Sequence, residues 1–453
     1  MKRREFTTTA ASALAGSLLP WPAQMRNARP RPSPSQLAWQ RDELALFLHF
    51  GVNTFTDREW GDGREDPAIF NPASLDARQW ARGARAAGAR ALILTAKHHD
   101  GFCLWPSRLT AHSVARSPWR GGAGDVVREF TDACKRERLR AGLYLSPWDR
   151  NAPVYGDSPR YNDFDCDQLT ELLTRYGPIA EVWFDGANGE GPNGRRQVYD
   201  WPRVFRLVRR LQPQAVMFSD AGPDVRWCGN EAGVAGDPNW STMDPAAVPY
   251  PGAPGDAVIA ALQHGDPRGS RWRPAEVDVS IRPGWFHHKA EDERVKTVDQ
   301  LTDIWFTSVG RNSKLLLNVP PTREGLLHAT DVTRLAALRA RLTALFAEDF
   351  ALGRRVQWRA TGPRTGVAEV DLGRIVSAGV VRLEEDIVQG QRVARYVVHR
   401  AVDGAWRELA RGTTVGHRKL DRFDATPARR VRVTVEDAVA PLPSRLRIGV
   451  YGL

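Results

Sequence analysis

The apolar positions between about residue 40 and residue 345 fall into short continuous runs, separated by amphipathic stretches. Each run is apolar at successive positions, as a strand buried on both faces of a parallel sheet requires. Strands that alternate with helical stretches indicate a parallel sheet wrapped by helices. The pattern predicts strands at residues 46–48, 91–94, 142–145, 182–184, 215–218 and 315–317, and more weakly at 227–228 and 277–281.

The intervening stretches have helical spacing. Apolar residues recur four and then three positions apart at Trp80, Ala84 and Ala87, and the same spacing follows Val126. Six clear strands and two weaker ones over about 300 residues fit a barrel of eight strands better than an open sheet. Because no GxGxxG loop follows the first strand, a dinucleotide-binding fold is not favoured. The sequence therefore predicts an α/β fold, a TIM-like (β/α)8 barrel.

The pattern changes to period two beyond residue 350. Val431, Val433 and Val435 alternate with polar residues, and Asp403-Gly404 is typical of a tight turn between strands. We therefore predict a catalytic barrel over residues 29–350 and a C-terminal β-sandwich over residues 351–453.

The amino terminus is typical of an export signal. Lys2, Arg3 and Arg4 precede an apolar run of about ten residues, which is too short to span a bilayer. The segment Arg3-Arg4-Glu5-Phe6 resembles a twin-arginine signal. Residues 1–28 are thus predicted to be a signal peptide with the start of a linker, which would place the mature protein in the periplasm or outside the cell, with no membrane partner after export.

The composition narrows the choice of partner. The formal net charge is +11, but the basic residues are dispersed and form no run interleaved with aromatics, so nucleic acid is not an expected partner. The 16 tryptophans suit a site that stacks on flat ligand faces. The four cysteines lack CxxC spacing and histidine partners, so structural zinc is not expected; one disulfide or buried free thiols both fit.

Polar residues at the carboxyl ends of the predicted strands are the candidates for chemistry, because active sites of such barrels lie there. His49, His98 and His99 follow the first two strands, Tyr144 lies in the third, and Asp185 ends the fourth. Barrel metallohydrolases usually carry an HxH pair on the first strand, and this strand supplies only His49, so the histidines are better suited to bind ligand hydroxyls than a metal.

Asp185 and Trp183 are two residues apart on a strand and therefore face the same side, while Phe184 faces outward. A carboxylate above an indole suits a sugar site, since the carboxylate can attack an anomeric carbon and the aromatic ring can cover an apolar sugar face. Glycoside hydrolysis requires two such carboxyl groups.

Several ordered motifs resemble those of glycoside hydrolase family 29, the α-L-fucosidases, over nearly the whole mature chain. The resemblance extends to the subgroup that acts on α-1,3/1,4-fucosyl linkages. The motifs are Leu48-His49-Phe50-Gly51, Asn53-Thr54-Phe55-Thr56, Glu59-Trp60-Gly61, Lys97-His98-His99-Asp100-Gly101-Phe102, Trp183-Phe184-Asp185-Gly186, Ser280-Ile281-Arg282-Pro283-Gly284-Trp285-Phe286 and Leu316-Leu317-Asn318-Val319-Pro320-Pro321.

The resemblance implies a retaining, exo-acting α-L-fucosidase that cleaves terminal fucose from oligosaccharides or glycoconjugates without a cofactor or metal. Asp185 would be the nucleophile that forms a covalent fucosyl-enzyme. An alternative is a catalytically weak protein that binds fucosylated glycans on the same scaffold. The motif positions that line the fucose pocket in the family correspond here to His49, Trp60, His98, His99, Tyr144 and Trp183.

Two glutamates compete for the role of general acid/base. If residues 276–282 form one strand with Arg282 at the mouth, Glu276 lies roughly 20 Å deeper, at the wrong end of the barrel. Glu231 lies in a glycine-rich loop, and its spacing from Asp185 resembles that of the α-1,3/1,4 subgroup. We therefore favour Glu231, with Glu276 as runner-up. Arg282 is a candidate for substrate binding, although it could instead pair with a neighbouring carboxylate.

Overall fold

A computed structural model describes residues 29–442 and 446–453. The predicted export signal within residues 1–28 lies outside the described residues. In the described part of the chain, no helix is long and apolar enough to cross a membrane.

Eight parallel strands form the first sheet, in the order β5-β4-β3-β2-β1-β10-β9-β6. A bridge between Phe218 and Val225 joins the end of β5 to the residue before β6, so the sheet nearly closes on itself. A short antiparallel pair, β7 and β8, lies outside it. The strands are β1 (Leu44–Leu48), β2 (Ala91–Lys97), β3 (Arg140–Leu145), β4 (Glu181–Trp183), β5 (Val216–Phe218), β6 (Arg226–Trp227), β7 (Thr242–Met243), β8 (Arg271–Trp272), β9 (Ala275–Ser280) and β10 (Lys314–Asn318).

Nine helices within the described residues cover or connect these strands. The predicted apolar positions Trp80, Ala84 and Ala87 are buried in α3, and Asp76 begins that helix by accepting hydrogen bonds from its first backbone amides. The helices are α1 (Pro34–Asp42), α2 (Val52–Thr56), α3 (Ala77–Ala87), α4 (Val126–Glu137), α5 (Ser158–Arg175), α6 (Trp201–Leu211), α7 (Asp256–His264), α8 (Val298–Thr307) and α9 (Ala329–Leu345). The predicted barrel fold is confirmed, with strand ends displaced by at most three residues.

Alternate side chains of each strand enter two different cores. Leu46 and Leu48 pack outward against the helices, whereas Phe47 packs inside the barrel. Trp183 likewise lies inside the barrel and Phe184 outside, which confirms the predicted orientation of this segment. The aromatic side chains inside the barrel form the floor above which a ligand can lie.

A buried ionic cluster occupies the amino-terminal end of the barrel interior. The Lys314 ammonium donates to Glu181 Oε2 at 2.8 Å and lies 3.4 Å from Glu276 Oε2. The indole of Trp183 donates to the other oxygen of Glu276 at 3.0 Å. Burial, followed by the charge of Glu181, raises the pKa of Glu276 well above its ordinary value, while Lys314 opposes that shift.

The C-terminal domain is an antiparallel sheet of six strands, in the order β11-β12-β15-β13-β14, with β16 also paired to β12. The predicted turn at Asp403-Gly404 joins β13 to β14, and both residues have the positive φ of a two-residue hairpin turn. Val431, Val433 and Val435 are buried in its core. The strands are β11 (Gln357–Ala360), β12 (Gly366–Glu385), β13 (Val393–Val402), β14 (Ala405–Gly412), β15 (Lys419–Ala438) and β16 (Leu446–Tyr451).

Replacing Lys314 by methionine should destabilise the barrel strongly. The substitution leaves the carboxyls of Glu181 and Glu276 buried without their shared cation, and breaking a buried ion pair costs about 3–5 kcal/mol. Denaturant unfolding would measure the change in the free energy of unfolding. Lys135→Met, at an exposed position of α4, is the matched control. A Lys314→Met variant as stable as that control would show that the barrel does not depend on the cluster.

Candidate active site

A small pocket at the carboxyl ends of the barrel strands brings together most of the predicted site residues. Its volume is about 200 Å³, below the ~300–1,000 Å³ of pockets that hold drug-sized ligands, so it suits a single sugar ring. The lining residues are Phe47, His49, Glu59, Trp60, His98, His99, Tyr144, Trp183, Asp185, Ala187, Glu231, Asp278 and Trp285.

Asp185 follows β4 and is partly exposed to the pocket. One of its carboxylate oxygens accepts a hydrogen bond from the hydroxyl of Tyr144 at 3.1 Å, and the other accepts one from the backbone amide of Ala187 at 2.7 Å. Burial, followed by the charge of Asp185, raises the pKa of Tyr144 well above its usual value, so this hydroxyl keeps its proton. These two hydrogen bonds, one to each oxygen, hold the Asp185 carboxyl in place.

The hydrogen bonds of Asn318 determine the tautomer of His49. The Asn318 side-chain amide donates to the carbonyl of Trp285 at 2.8 Å, so its oxygen faces His49 Nδ1, also at 2.8 Å. His49 Nδ1 therefore carries a hydrogen and Nε2 does not. Burial lowers the pKa of His49 to about 3, and the ring is neutral at physiological pH. Its free nitrogen can accept a hydrogen bond from a ligand hydroxyl.

His99 has the same protonation pattern for a similar reason. The Ser146 hydroxyl donates to the carbonyl of Trp148 at 2.7 Å, so it accepts from His99 Nδ1, also at 2.7 Å. Burial lowers the pKa of His99, which leaves Nε2 as an acceptor 3.9 Å from Asp185 Oδ2. Burial also lowers the pKa of His98 well below its usual value. A ligand hydroxyl can donate a hydrogen bond, so it suits the space between His99 Nε2 and Asp185 Oδ2 better than a ligand group that can only accept one.

Aromatic rings form both the floor and the rim of the pocket. Trp183 is buried, lies 5.3 Å from Tyr144 between ring centroids, and stacks on Phe218 at 4.1 Å. Trp60 at the rim is 59% exposed and meets Trp148 edge-on at 5.8 Å. A ligand can therefore contact rings both at the base and at the entrance of the pocket.

Glu231 lies in the exposed loop that follows β6, on the wall of the same pocket as Asp185. The indole of Trp285 donates to Glu231 Oε2 at 3.3 Å. Loss of water raises the pKa of Glu231, the indole opposes that rise, and the charges of Asp185 and Glu59 add to it. Two carboxyl groups in one pocket, one of them with a raised pKa, are the arrangement that an acid and a nucleophile need.

Two further carboxyl groups in the pocket were not predicted as site residues. Asp278 lies in β9, accepts a hydrogen bond from the Trp227 indole at 2.8 Å, and has a pKa raised well above its usual value by burial and then by Glu231. Glu59 accepts hydrogen bonds from the backbone amides of Trp285 and Phe286. A polar residue within an apolar strand was the sequence signal for Asp278, and the position beside Trp60 was the signal for Glu59. Trp285 was also missed, although it follows Arg282 within a recognised motif.

Two predicted residues lie away from the pocket. Glu276 is paired with Lys314 at the amino-terminal end of the strands, as its position six residues before Arg282 in the predicted strand indicated. The prediction that Arg282 binds substrate is not supported by its position, because its buried guanidinium is bound by Asp331 and Asp292, each at 2.9 Å. Those partners lie 49 and 10 residues away in sequence.

A larger cavity, of about 840 Å³, opens at the opposite, amino-terminal end of the barrel. Trp39, Glu181 and Lys314 line it, and Glu181 is already bound by both of the others. This cavity holds neither Asp185 nor Glu231, so it is not the candidate active site despite its size. In residues 29–442 and 446–453, no three histidine, cysteine or acidic side chains converge where a metal ion could bind. The four cysteines are free and buried.

Comparisons with known proteins agree with this geometry. A family model described as alpha-L-fucosidase matches residues 53–344. An Arabidopsis thaliana alpha-L-fucosidase 1 is 44% identical over 93% of this chain and 87% of its own length. A glycoside hydrolase 29 family member from an unknown rumen bacterium is 41% identical, with a TM-score of 0.86, over 94% of this chain and 78% of that one. A Ruminococcus gnavus fucosidase in complex with fucose is 32% identical, with a TM-score of 0.83, over 94% and 96% of the two chains.

Burial predicts that the His49 ring stays neutral in mildly acidic solution. With a pKa of about 3, its proton NMR signals should not shift between about pH 8 and pH 5, whereas an ordinary histidine titrates near pH 6.5. A His49→Gln variant would assign the signal. A His49 resonance that titrates within this range would contradict the lowered pKa of the ring.

Proposed function

This chain belongs to the α-L-fucosidase family, glycoside hydrolase family 29, and we propose that it releases terminal fucose with retention of configuration through a covalent fucosyl-enzyme. The observation that carries this proposal is the presence of Asp185 and Glu231 in one small pocket, where the pKa of Glu231 is raised. Two carboxyl groups at the scissile bond are what a retaining glycosidase requires.

In the first step, Asp185 attacks the anomeric carbon while Glu231 gives its proton to the departing glycosidic oxygen. The bond from carbon to that oxygen breaks as the ester bond to Asp185 forms. The hydrogen bonds from Tyr144 and from the Ala187 amide hold the nucleophile in its orientation. The raised pKa of Glu231 favours its protonated form, as the role of acid requires.

In the second step, Glu231 acts as a base. It takes a proton from a water molecule, the water oxygen bonds to the anomeric carbon, and the ester to Asp185 breaks. Both carboxyls then have their starting protonation states again. Two displacements on one carbon restore its original configuration, so the released sugar would be α-fucose.

The other pocket groups suit a single fucose. The neutral rings of His49 and His99 present acceptors to sugar hydroxyls, and Trp183 supplies an aromatic floor. The fucose complex of the Ruminococcus gnavus relative supports the same ligand for this fold. A pocket of about 200 Å³ holds one ring, which supports exo-action. Because the chain belongs to an enzyme family and presents this carboxyl pair, the alternative of a catalytically weak glycan-binding protein is not favoured.

We propose α-1,3- and α-1,4-linked fucose as the substrate on the basis of two motifs, residues 280–286 and 316–321. These segments contribute Trp285, which contacts Glu231, and Asn318, which contacts His49. They therefore lie where a leaving sugar and the fucose ring meet the protein. We also propose export to the periplasm or beyond, on the sequence of residues 1–28 alone.

Changing Asp185 to asparagine should lower kcat/KM for an α-L-fucoside by more than about 10³-fold, because loss of a covalent nucleophile removes the whole first step. Glu231→Gln should lower it by about 10²–10⁴-fold on substrates whose leaving group needs a proton. Azide should restore turnover of an activated fucoside by Glu231→Ala and yield α-fucosyl azide, because azide displaces Asp185 from the fucosyl-enzyme in a second inversion. Glu190→Gln, at an exposed position of a neighbouring loop, is the control.

The stereochemistry of the product tests the mechanism directly. Proton NMR early in the reaction should show α-fucose before mutarotation. β-Fucose as the first product would disprove retention, and full activity of Asp185→Asn would disprove the assignment of the nucleophile.

Linkage preference can be measured with Lewis-type trisaccharides, which carry α-1,3- or α-1,4-linked fucose, and with an α-1,2-fucosyl trisaccharide. The expected result is a kcat/KM at least about tenfold higher for the first two, equivalent to about 1.4 kcal/mol in the transition state. Equal rates on all three linkages would refute the proposed specificity and leave the fucosidase assignment intact.

A further inference from the structure

The imidazole of His288 lies between two carboxylates from a different part of the chain. Its Nδ1 is 2.7 Å from Asp57 Oδ1, and its Nε2 is 2.7 Å from Glu59 Oε1. Asp57 ends α2, and Glu59 lies two residues further, beside Trp60. His288 lies in the loop that follows β9, so its ring connects the loops after β1 and β9.

Both nitrogens of His288 must donate in this arrangement, because an ionised carboxylate can only accept a hydrogen bond. The ring is therefore an imidazolium. Burial by itself would lower the pKa of His288, but the hydrogen bonds with Asp57 and Glu59 outweigh that effect and raise it. The adjacent His287 pairs instead with Asp292 at 3.0 Å.

The other charged groups around His288 leave this interpretation unchanged. Glu291, three residues on, accepts from the Gly284 backbone amide at 3.1 Å. Lys289 is exposed, and it forms no ion pair among the described residues. Asp57 and Glu59 are thus the charges that determine the protonation of the ring.

Glu59 uses three hydrogen bonds to hold the loop that forms the pocket wall. Its Oε2 accepts from the Trp285 amide at 2.8 Å, and its Oε1 accepts from the Phe286 amide at 3.1 Å and from His288. A Cβ atom at position 284 would collide with this carboxylate, so a side chain there would require Glu59 to shift. His288 is the cation that balances the charge of Glu59 and keeps it in place.

Trp285 transmits the position of this loop to Glu231. Its backbone is held by Glu59 at the amide and by Asn318 at the carbonyl, and its indole donates to Glu231 Oε2 at 3.3 Å. Glu231 lies in an exposed loop, and this indole is a hydrogen-bond donor to its carboxyl from outside that loop. A displaced Trp285 would therefore release the carboxyl.

We propose that His288 is a positioning residue whose imidazolium, held between Asp57 and Glu59, fixes Trp285 and thereby orients the carboxyl of Glu231 for proton transfer. This inference rests on the proposed role of Glu231 as general acid. His288 itself does not line the pocket. Its loss should impair protonation of the leaving group more than attack by Asp185.

The test compares two kinds of substrate in His288→Gln, Glu231→Gln and the matched control His287→Gln. α-L-Fucosyl fluoride departs with little need for a proton, whereas phenyl α-L-fucoside and a Lewis-type trisaccharide need one. The parameter kcat/KM reports bond cleavage and excludes the later hydrolysis of the fucosyl-enzyme. Circular dichroism would verify that each variant is folded.

The expected result for His288→Gln is a loss of about 10- to 100-fold on the substrates that need a proton, as for a catalytic group displaced by about 1 Å, and under about threefold on the fluoride. Glu231→Gln should show the same dependence more strongly, and His287→Gln should show none. If Glu231→Gln remains selective, three results for His288→Gln would overturn the inference. They are an equal loss on all substrates, no loss on any substrate, and failure to fold. A uniform loss in Glu231→Gln would instead overturn the role of Glu231 as acid.

The pH dependence of stability tests the charge of the ring. Its folded pKa is raised, so its stabilising effect is fully present below the unfolded pKa, about 6.5, and is lost as pH rises through the folded pKa. The difference in Tm between wild type and His288→Gln should therefore be largest near about pH 6 and should shrink in alkaline solution. A difference that does not change with pH would show that the ring is neutral.

Discussion

The ammonium of Lys314, buried between Glu181 and Glu276, is the interaction on which the interior of the barrel depends. Charges inside a barrel lose their hydration and must satisfy one another. Because Glu276 also accepts the indole hydrogen of Trp183, the same cluster fixes the ring that forms the pocket floor. Asp185 follows Trp183 by two residues, so the position of the proposed nucleophile is connected through one strand to an ion pair at the other end of the barrel.

The walls of the pocket are built on a different physical basis. Glu59, His288 and Trp285 belong to loops near the surface, where water screens charge and single ion pairs stabilise little. Their effect comes from geometry, since one carboxylate accepts two backbone amides and an imidazolium at the same time. Burial therefore holds the floor of the pocket in place. The wall is held by hydrogen bonds that converge on the Glu59 carboxylate.

The sequence predicted what local pattern determines. Continuous apolar runs located the strands, period two on a strand oriented Trp183 and Asp185, and strand length alone put Glu276 at the wrong end of the barrel. Contacts between distant segments could not be predicted in this way. The guanidinium of Arg282 pairs with Asp331, a residue of α9, and this pairing depends on how α9 packs. Glu59 and Asp278 were missed because an acidic residue in a loop or strand looks the same whether it meets solvent or a pocket.

The pocket is closed below by Phe47 and Trp183, so ligand can enter and leave by its mouth alone. In the proposed mechanism, the defucosylated glycan would block that mouth until it departs, and water would reach the fucosyl-enzyme through the same opening. The released fucose follows last. An enzyme whose pocket opens only at its mouth cannot move along a glycan chain from one fucosyl branch to the next without releasing the glycan. The proposed exo-action would therefore be distributive, and a glycan with several fucosyl branches would pass through partly trimmed intermediates free in solution.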